Sequence, residues 1–232
     1  MTKVISSQLG KNTGVIMNYE ITAVIPTRAG SERVKSKNTR PFAEKSLLEY
    51  KILTLQKLKD NGFISDIVVN SDCEDSKKIS KKYGVDFIQR DDYLASSDAP
   101  IVDYWKEVLT NVKTEHSMLC QCTSPLISYE TYADSIQKYN GSSLLGTELI
   151  KDYLWENDKP LNYDWPNHPK SQDLSRNFWK INFGIVIISK DELTLLNNIK
   201  TPNTQLYPVP SEESLDIDNM VEFDLAESYY ED

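Results

Sequence analysis

ITAVIPTRAGSERVKSKN, residues 21–38, joins two unlike halves: an apolar run that Pro26 ends, and a polar loop dense in positive charge. Ile21 to Pro26 reads as a short strand whose apolar residues follow one another without alternation, the pattern of a strand covered on both faces. The second half carries Arg28, Arg33, Lys35 and Lys37, with Arg40 just beyond it, and Glu32 as its single acid. Gly30 and Ser31 allow tight turning, so successive main-chain N–H groups can converge on phosphate oxygens while the side chains neutralise them. Charge alone leaves two readings open, a solvated basic loop and an anion site. The loop contains neither the G-x-G-x-x-G dinucleotide fingerprint nor the G-x-x-x-x-G-K-[ST] P-loop.

Outward from that stretch the chain alternates. SLLEYKILTLQKLKD (46–60) places Leu48, Ile52 and Leu55 on one helical face; DIVVNSD (66–72) reads as a strand, EDSKKISKKYG (74–84) as a helix stopped by Gly84, and VDFIQR (85–90) as a strand. A helix over about 99–112 precedes the apolar run SMLCQC (117–122), followed by a helix at 129–139 and a strand at 142–147. KINFGIVIIS (180–189) is a further strand with a helix near 190–197, and Met220, Phe223 and Ala226 give a terminal helix its packing face. Regular βα alternation with continuous apolar strands predicts an α/β fold, a mostly parallel sheet with helices on both faces. In such sheets ligands bind beyond the carboxyl ends of the strands, which directs attention to the loops after residues 26, 71 and 122.

The 232 residues, 39% of them apolar, suffice for one large domain. A net charge of -9 repels nucleic acid and anionic membrane surfaces, and no apolar run approaches the roughly 18–20 residues of a membrane span. Cys73, Cys120 and Cys122 form an odd set without zinc-site spacing, which fits a reducing cytoplasm. Residues 1–19 are polar and aperiodic, an N-terminal extension, and Met17 stands just before the first strand. The core domain is expected over 20–232, interrupted at about 140–180 by an aromatic segment that holds Trp155, Trp165 and Trp179, read either as a loop-rich insertion or as a lid or dimer surface.

Near the end, Asp216 and Asp218 alternate with Leu215 and Ile217, so in an extended strand both carboxylates share one face. That pair suits Mg²⁺, which is held by one or two carboxylates plus substrate phosphates; the other reading is a helix cap beside a solvent-exposed acid. Ser71 and Asp72 likewise either line a pocket or cap the helix at 74.

These features resemble the acylneuraminate cytidylyltransferases, the CMP-sialic acid synthetases and their relatives, over roughly residues 21–227. AVIPTRAGSERVKSKN is similar to the family's A-x-I-P-A-R-x-G-S-K-R-x-x-x-K-N, DIVVNSD to IVVSTD, and FIQRDDYLASSDAP to R-P-x-x-L-A-S-D-x-A. LCQCTSPL is similar to L-L-Q-P-T-S-P-L-R, and SLDIDNMVEFDLAE to S-I-D-I-D-x-x-x-D-x-x-x-A-E. The resemblance implies a Rossmann-like nucleotidyltransferase fold, CTP and an acidic sugar as substrates, Mg²⁺ as cofactor and a homodimer. It implies a nucleotide site made of Pro26, Thr27, Arg28, Ala29, Gly30, Ser31, Lys37, Asn38, Ser71, Arg90 and Ala99. Gln121, Gln172, Asp173 and Lys180 fall to the sugar and Asp216 and Asp218 to the metal, with Arg28, Lys37 and the two aspartates carrying catalysis.

The chain departs from the pattern where Glu32 replaces a lysine, Cys122 a proline and Ile127 an arginine, and where Ser171 replaces an arginine suited to a bidentate grip on the sugar carboxylate. A different acceptor, a Kdo-like octulosonate or a phosphonate, and a non-catalytic nucleotide-binding relative are the competing readings.

Overall fold

The computed structural model describes residues 19–31, 33–96, 98–174 and 178–230; the N-terminal extension up to residue 18 and Glu32 lie outside the described residues. Strand β1 (Ile21–Pro26) is buried throughout, and its side chains divide between two cores. Ile21, Ala23 and Ile25 enter one cluster and Val24 the other, so the unbroken apolar run serves a sheet covered on both sides.

Helix α1 (Leu47–Asp60) begins at a capping box in which Ser46 Oγ accepts the Glu49 N–H at 3.3 Å and Glu49 Oε2 accepts the Ser46 N–H at 2.9 Å. Strand β2 (Asp66–Ser71) leads to α2 (Glu74–Tyr83), which Gly84 ends at φ 67° in the left-handed region, the expected glycine stop. Then follow β3 (Asp86–Gln89), a single turn α3 (Asp92–Ala95), α4 (Ile101–Thr110), β4 (His116–Leu119), α5 (Tyr129–Lys138) and β5 (Ser143–Ile150). A small hairpin, β6 (Trp155–Glu156) with β7 (Lys159–Pro160), precedes the long β8 (Phe178–Ser189), and α6 (Lys190–Leu196), β9 (Gln205–Pro208) and α7 (Met220–Ser228) complete the chain.

Seven strands form one sheet in the order β3-β2-β1-β4-β8-β5-β9, in which β8 runs antiparallel to both neighbours and the other described pairings are parallel. Helices α1, α5 and α7 pack their apolar residues on one face and α4 and α6 on the other, as expected for an α/β fold.

Two expectations need correction. The interruption expected at about 140–180 is narrower, because β5 and β8 are main-sheet strands paired from Ser143↔Ile188 to Ile150↔Phe178. The chain leaves the sheet between Ile150 and Phe178, and the β5/β8 ladder carries that excursion out from the edge where the parallel strands end. The Ser214–Asp218 segment, expected as an extended strand, joins no ladder, and Ser214 itself is helical at φ -81° and ψ -3°; Ile217 is fully buried and its N–H bonds the Thr123 carbonyl at 2.8 Å.

From β1 the chain moves to β2 and β3 on one side, then returns to place β4 on the other. The carboxyl ends of β1 and β4 therefore flank a topological switch point, where connections diverge and leave a crevice.

Candidate active site

A cleft of about 460 Å³ opens at that switch point. Its walls come from four segments: the loop after β1, residues 90–104, the turn after β4, and the Asp216–Asp218 stretch. Pro26, Thr27, Arg28, Ser31, Lys37, Asn38, Arg90, Ala99, Gln121, Asp216 and Asp218 all line it, so residues as far apart in sequence as Pro26 and Asp218 share one cavity.

The basic loop is held from below. Thr27 donates its N–H to the Asn70 carbonyl at 3.1 Å and its hydroxyl to Ser76 at 2.9 Å, while the Ala29 N–H donates to Asp72 Oδ1 at 2.9 Å. Asp72 thus orders the loop. Ser36 takes φ 53°, a left-handed turn that reverses the chain so that Lys37 returns to the cleft. Asn38 is 7% exposed; its carbonyl accepts from Leu48 N–H at the start of α1, and its side-chain oxygen accepts from Cys122 Sγ at 3.3 Å. Arg28, Arg33 and Lys37 line the cavity, whereas Arg40 turns away, its guanidinium 5.0 Å from the centre of the Phe223 ring on α7.

The acid pair meets these cations. Arg33 Nη2 lies 2.8 Å from Asp218 Oδ1 and Lys37 Nζ 4.0 Å from the same oxygen, and Lys37 also donates to the Ile217 carbonyl. Asp216 is more deeply placed. Burial pushes its carboxyl above the ordinary value and the charge of Asp218 adds to this, while a hydrogen bond from Thr123 and the cations Lys37 and Lys180 pull it back. Its Oδ1 is buried without a hydrogen-bond partner among the described residues. An orphaned carboxylate oxygen beside a second carboxylate fits a hard divalent cation. Among the described residues no cluster of three or more His, Cys, Asp or Glu side chains is present, so phosphate oxygens or water would have to complete such a coordination shell.

On the opposite wall Arg90 is 3% exposed and locked by Asn70, donating from Nε to the side-chain oxygen and from Nη2 to the carbonyl, each at 2.6 Å. Burial lowers its pKa, and the Tyr104 ring, 5.3 Å beneath the guanidinium, stacks against it. Ala95, Ala99 and Ile101 give this end of the cleft apolar side chains.

Several expected residues stand outside the cavity wall. Ala29 and Gly30 belong to the loop but do not line it, and a Cβ added at Gly30 would meet nothing within 4 Å. Ser71 is fully buried, its hydroxyl accepting the Cys73 N–H at 3.0 Å, so it shapes the turn into α2. Gln172 and Asp173 form a 3-10 turn, and Asp173 borders a separate aromatic hollow with Tyr163 and His168. Lys180 pairs with Glu148 at 3.5 Å on the β5/β8 ladder, within electrostatic reach of Asp216. Tyr104 and Thr123 line the cleft without having been singled out; the T-S-P segment quoted above contained the latter, but its bond to Asp216 depends on a contact between positions far apart.

Comparison with known proteins bears on this site. The chain is 26% identical over 225 residues to an N-acylneuraminate cytidylyltransferase of Escherichia coli, covering 90% of this chain and 52% of that protein, so it spans about half the length of that relative. It is 27% identical over 226 residues to a pseudaminic acid cytidylyltransferase of Campylobacter jejuni, covering 89% of this chain and 94% of that one. The fold is similar to that of a CMP:2-keto-3-deoxy-manno-octonic acid synthetase complexed with CTP, at a TM-score of 0.65 and 13% identity over 91% of this chain and 98% of that one. The cytidylyltransferase family model matches residues 22–161, which contain the basic loop, Arg90 and the turn after β4, and the chain therefore belongs to the cytidylyltransferase family of nucleotidyltransferases.

Proposed function

We propose that the chain transfers CMP from CTP to an acidic sugar of the nonulosonic class and releases pyrophosphate. The observation that carries the reading is the meeting of Arg28, Arg33 and Lys37 with Asp216 and Asp218 in one cleft. Cations suit a triphosphate and the acid pair suits the ion that accompanies it. The names of the Escherichia coli and Campylobacter jejuni relatives, an N-acylneuraminate and a pseudaminic acid cytidylyltransferase, support an acidic sugar as acceptor.

In this scheme Arg28, Ser31 and Lys37 hold the triphosphate, Asn38 the ribose, and Arg90 with Ala99 the base. Gln121 and Lys180 face the sugar. The anomeric hydroxyl attacks the α-phosphorus; a new O–P bond forms, the bond to the bridging β-phosphate oxygen breaks so that pyrophosphate leaves, and the hydroxyl proton passes to water. The residues act mainly by positioning both reactants in line and neutralising charge on the leaving pyrophosphate. Asp216 and Asp218 would hold Mg²⁺, which would supply Lewis-acid stabilisation when bound.

Among the described residues no helix is long and apolar enough to cross a membrane, and Cys73, Cys120 and Cys122 are free thiols, which suits a reducing cytoplasm. A homodimer belongs to the same reading; Trp155 and Trp165, 49% and 65% exposed, offer it a surface.

The test is a panel of nucleotides and acid sugars with Mg²⁺ and pyrophosphate detection. CTP with a nonulosonic acid is expected to release pyrophosphate. Thermal stabilisation by CTP without release on any acid sugar would overturn the proposal in favour of a binding protein.

A further inference from the structure

Lys51 lies midway along α1 on its core-facing side and is 2% exposed. An ammonium so deeply buried is costly unless its protons are taken, so its partners are informative. Nζ donates to the Ser124 carbonyl at 2.9 Å and to the Tyr132 hydroxyl at 2.7 Å, and it stands 4.8 Å from the centre of the Tyr132 ring. The Tyr132 hydroxyl passes the interaction on, donating to the Gly184 carbonyl at 3.1 Å.

Both endpoints lead to the acid pair. Ser124 closes the turn after β4, its N–H bonding the Gln121 carbonyl at 3.3 Å; within that turn Thr123 accepts the Ile217 N–H and hydrogen-bonds Asp216. The Gly184 N–H donates to Asn182 Oδ1 at 2.9 Å, and Asn182 Nδ2 donates to the Ser214 carbonyl at 3.0 Å. The Ser214–Asp218 segment is thus suspended from Thr123 and Asn182, and both supports connect to one ammonium. The two routes also run close together at Gly184, where an added Cβ would fall 2.8 Å from the Ser124 side chain.

We infer that Lys51 is a positioning residue that sets the place of both carboxylates, through Ser124 on one side and through Tyr132, Gly184 and Asn182 on the other. The inference rests on the proposed role of Asp216 and Asp218 in holding a divalent ion with CTP. The charged and titratable groups that face Lys51 are the buried Cys120 and Cys122 thiols, Tyr132 and Glu213; burial draws the ammonium down to about 8 while Cys120, Cys122 and Glu213 oppose this.

The experiment compares Lys51→Met, Tyr132→Phe and a control, Val108→Ala, on the opposite core. Free Mn²⁺ is followed by electron paramagnetic resonance in the presence of CTP, and turnover is measured in parallel. Both variants are expected to bind Mn²⁺ about tenfold more weakly than wild type, as outer supports of metal ligands do, with CTP affinity in chelator unchanged. The control is expected to lose stability without a change in Mn²⁺ affinity. Tyr132→Phe keeps the ring and removes the link, so it remains informative where Lys51→Met fails to fold. Unchanged Mn²⁺ affinity in the folded variants, or an equal loss in the control, would overturn the inference. A wild type that binds CTP and Mn²⁺ but releases no pyrophosphate would instead overturn the proposed reaction and leave the positioning result standing.

Discussion

At the scale of single residues the sharpest predictions fall on Asp218 and Lys51. Asp218 is half exposed and its described ionic partners are Arg33 and Lys37, so Asp218→Asn is expected to leave the unfolding free energy from urea titration within about 1 kcal/mol of wild type, since exposed pairs contribute little. The same variant is expected to lose most turnover; near-normal pyrophosphate release would remove the metal role from that residue. Lys51 makes a prediction with a definite sign. Its folded pKa of about 8 lies below its ordinary 10.5, so between these values the unfolded chain binds the additional proton and stability rises with pH. Measured against Lys51→Met, which lacks the group, wild-type stability is expected to climb between pH 8 and about 10, and a flat difference would contradict the shift. Charge and spacing drew attention to Arg28, Lys37, Asp216 and Asp218 with two readings open for each group, and the family resemblance supplied the expectation of a nucleotide and metal role. The sequence did not announce Lys51, because an exposed and a buried lysine on a helix look alike until the helix has been docked.

Elements carry the next level. The capping box that begins α7 stands immediately after the acid pair: Asn219 Oδ1 accepts the Glu222 N–H at 3.0 Å, and Glu222 Oε2 accepts the N–H groups of Asp218 and Asn219. Asn219→Ala is expected to cost about 1 kcal/mol and to loosen the backbone that presents Asp218. Hydrogen exchange at residues 218–223 is expected to accelerate, whereas unchanged exchange would separate the cap from the site. Most elements were legible because each carries a local signal, such as the apolar run of β1, the spacing of Leu48, Ile52 and Leu55, or Gly84 at the end of α2. Strand β9 was not. Its four residues include Pro208, and only pairing with β5 makes them a strand. The reach of β5 and β8 was missed for a related reason: Glu148 to Ile150 are ladder residues by virtue of partners some 30 positions away.

For the molecule as a whole, a net charge of -9 surrounds a cleft lined by Arg28, Arg33, Lys37 and Arg90. Attraction of CTP to that local field works against the global one, and salt screens both over about 8–10 Å. CTP affinity is expected to weaken with ionic strength from 0.05 to 0.5 M in titration calorimetry, by about tenfold or less; independence from salt would mean that the cations do not contact the phosphates. The cleft itself was legible only as a set of loops at one sheet edge, since the strand order that brings β1 beside β4 is not written in either strand. The bond between Arg33 and Asp218 has a consequence for how ligands arrive. Asp218 pairs with both Arg33 and Lys37, so on the proposed reading a triphosphate that recruits Arg33 would loosen the hold on the carboxylate, and a cation that recruits Asp218 would release the guanidinium. Each newcomer would then release the partner that the other needs, and thermodynamic reciprocity would make nucleotide and metal mutual promoters, each tightening the other by the same factor.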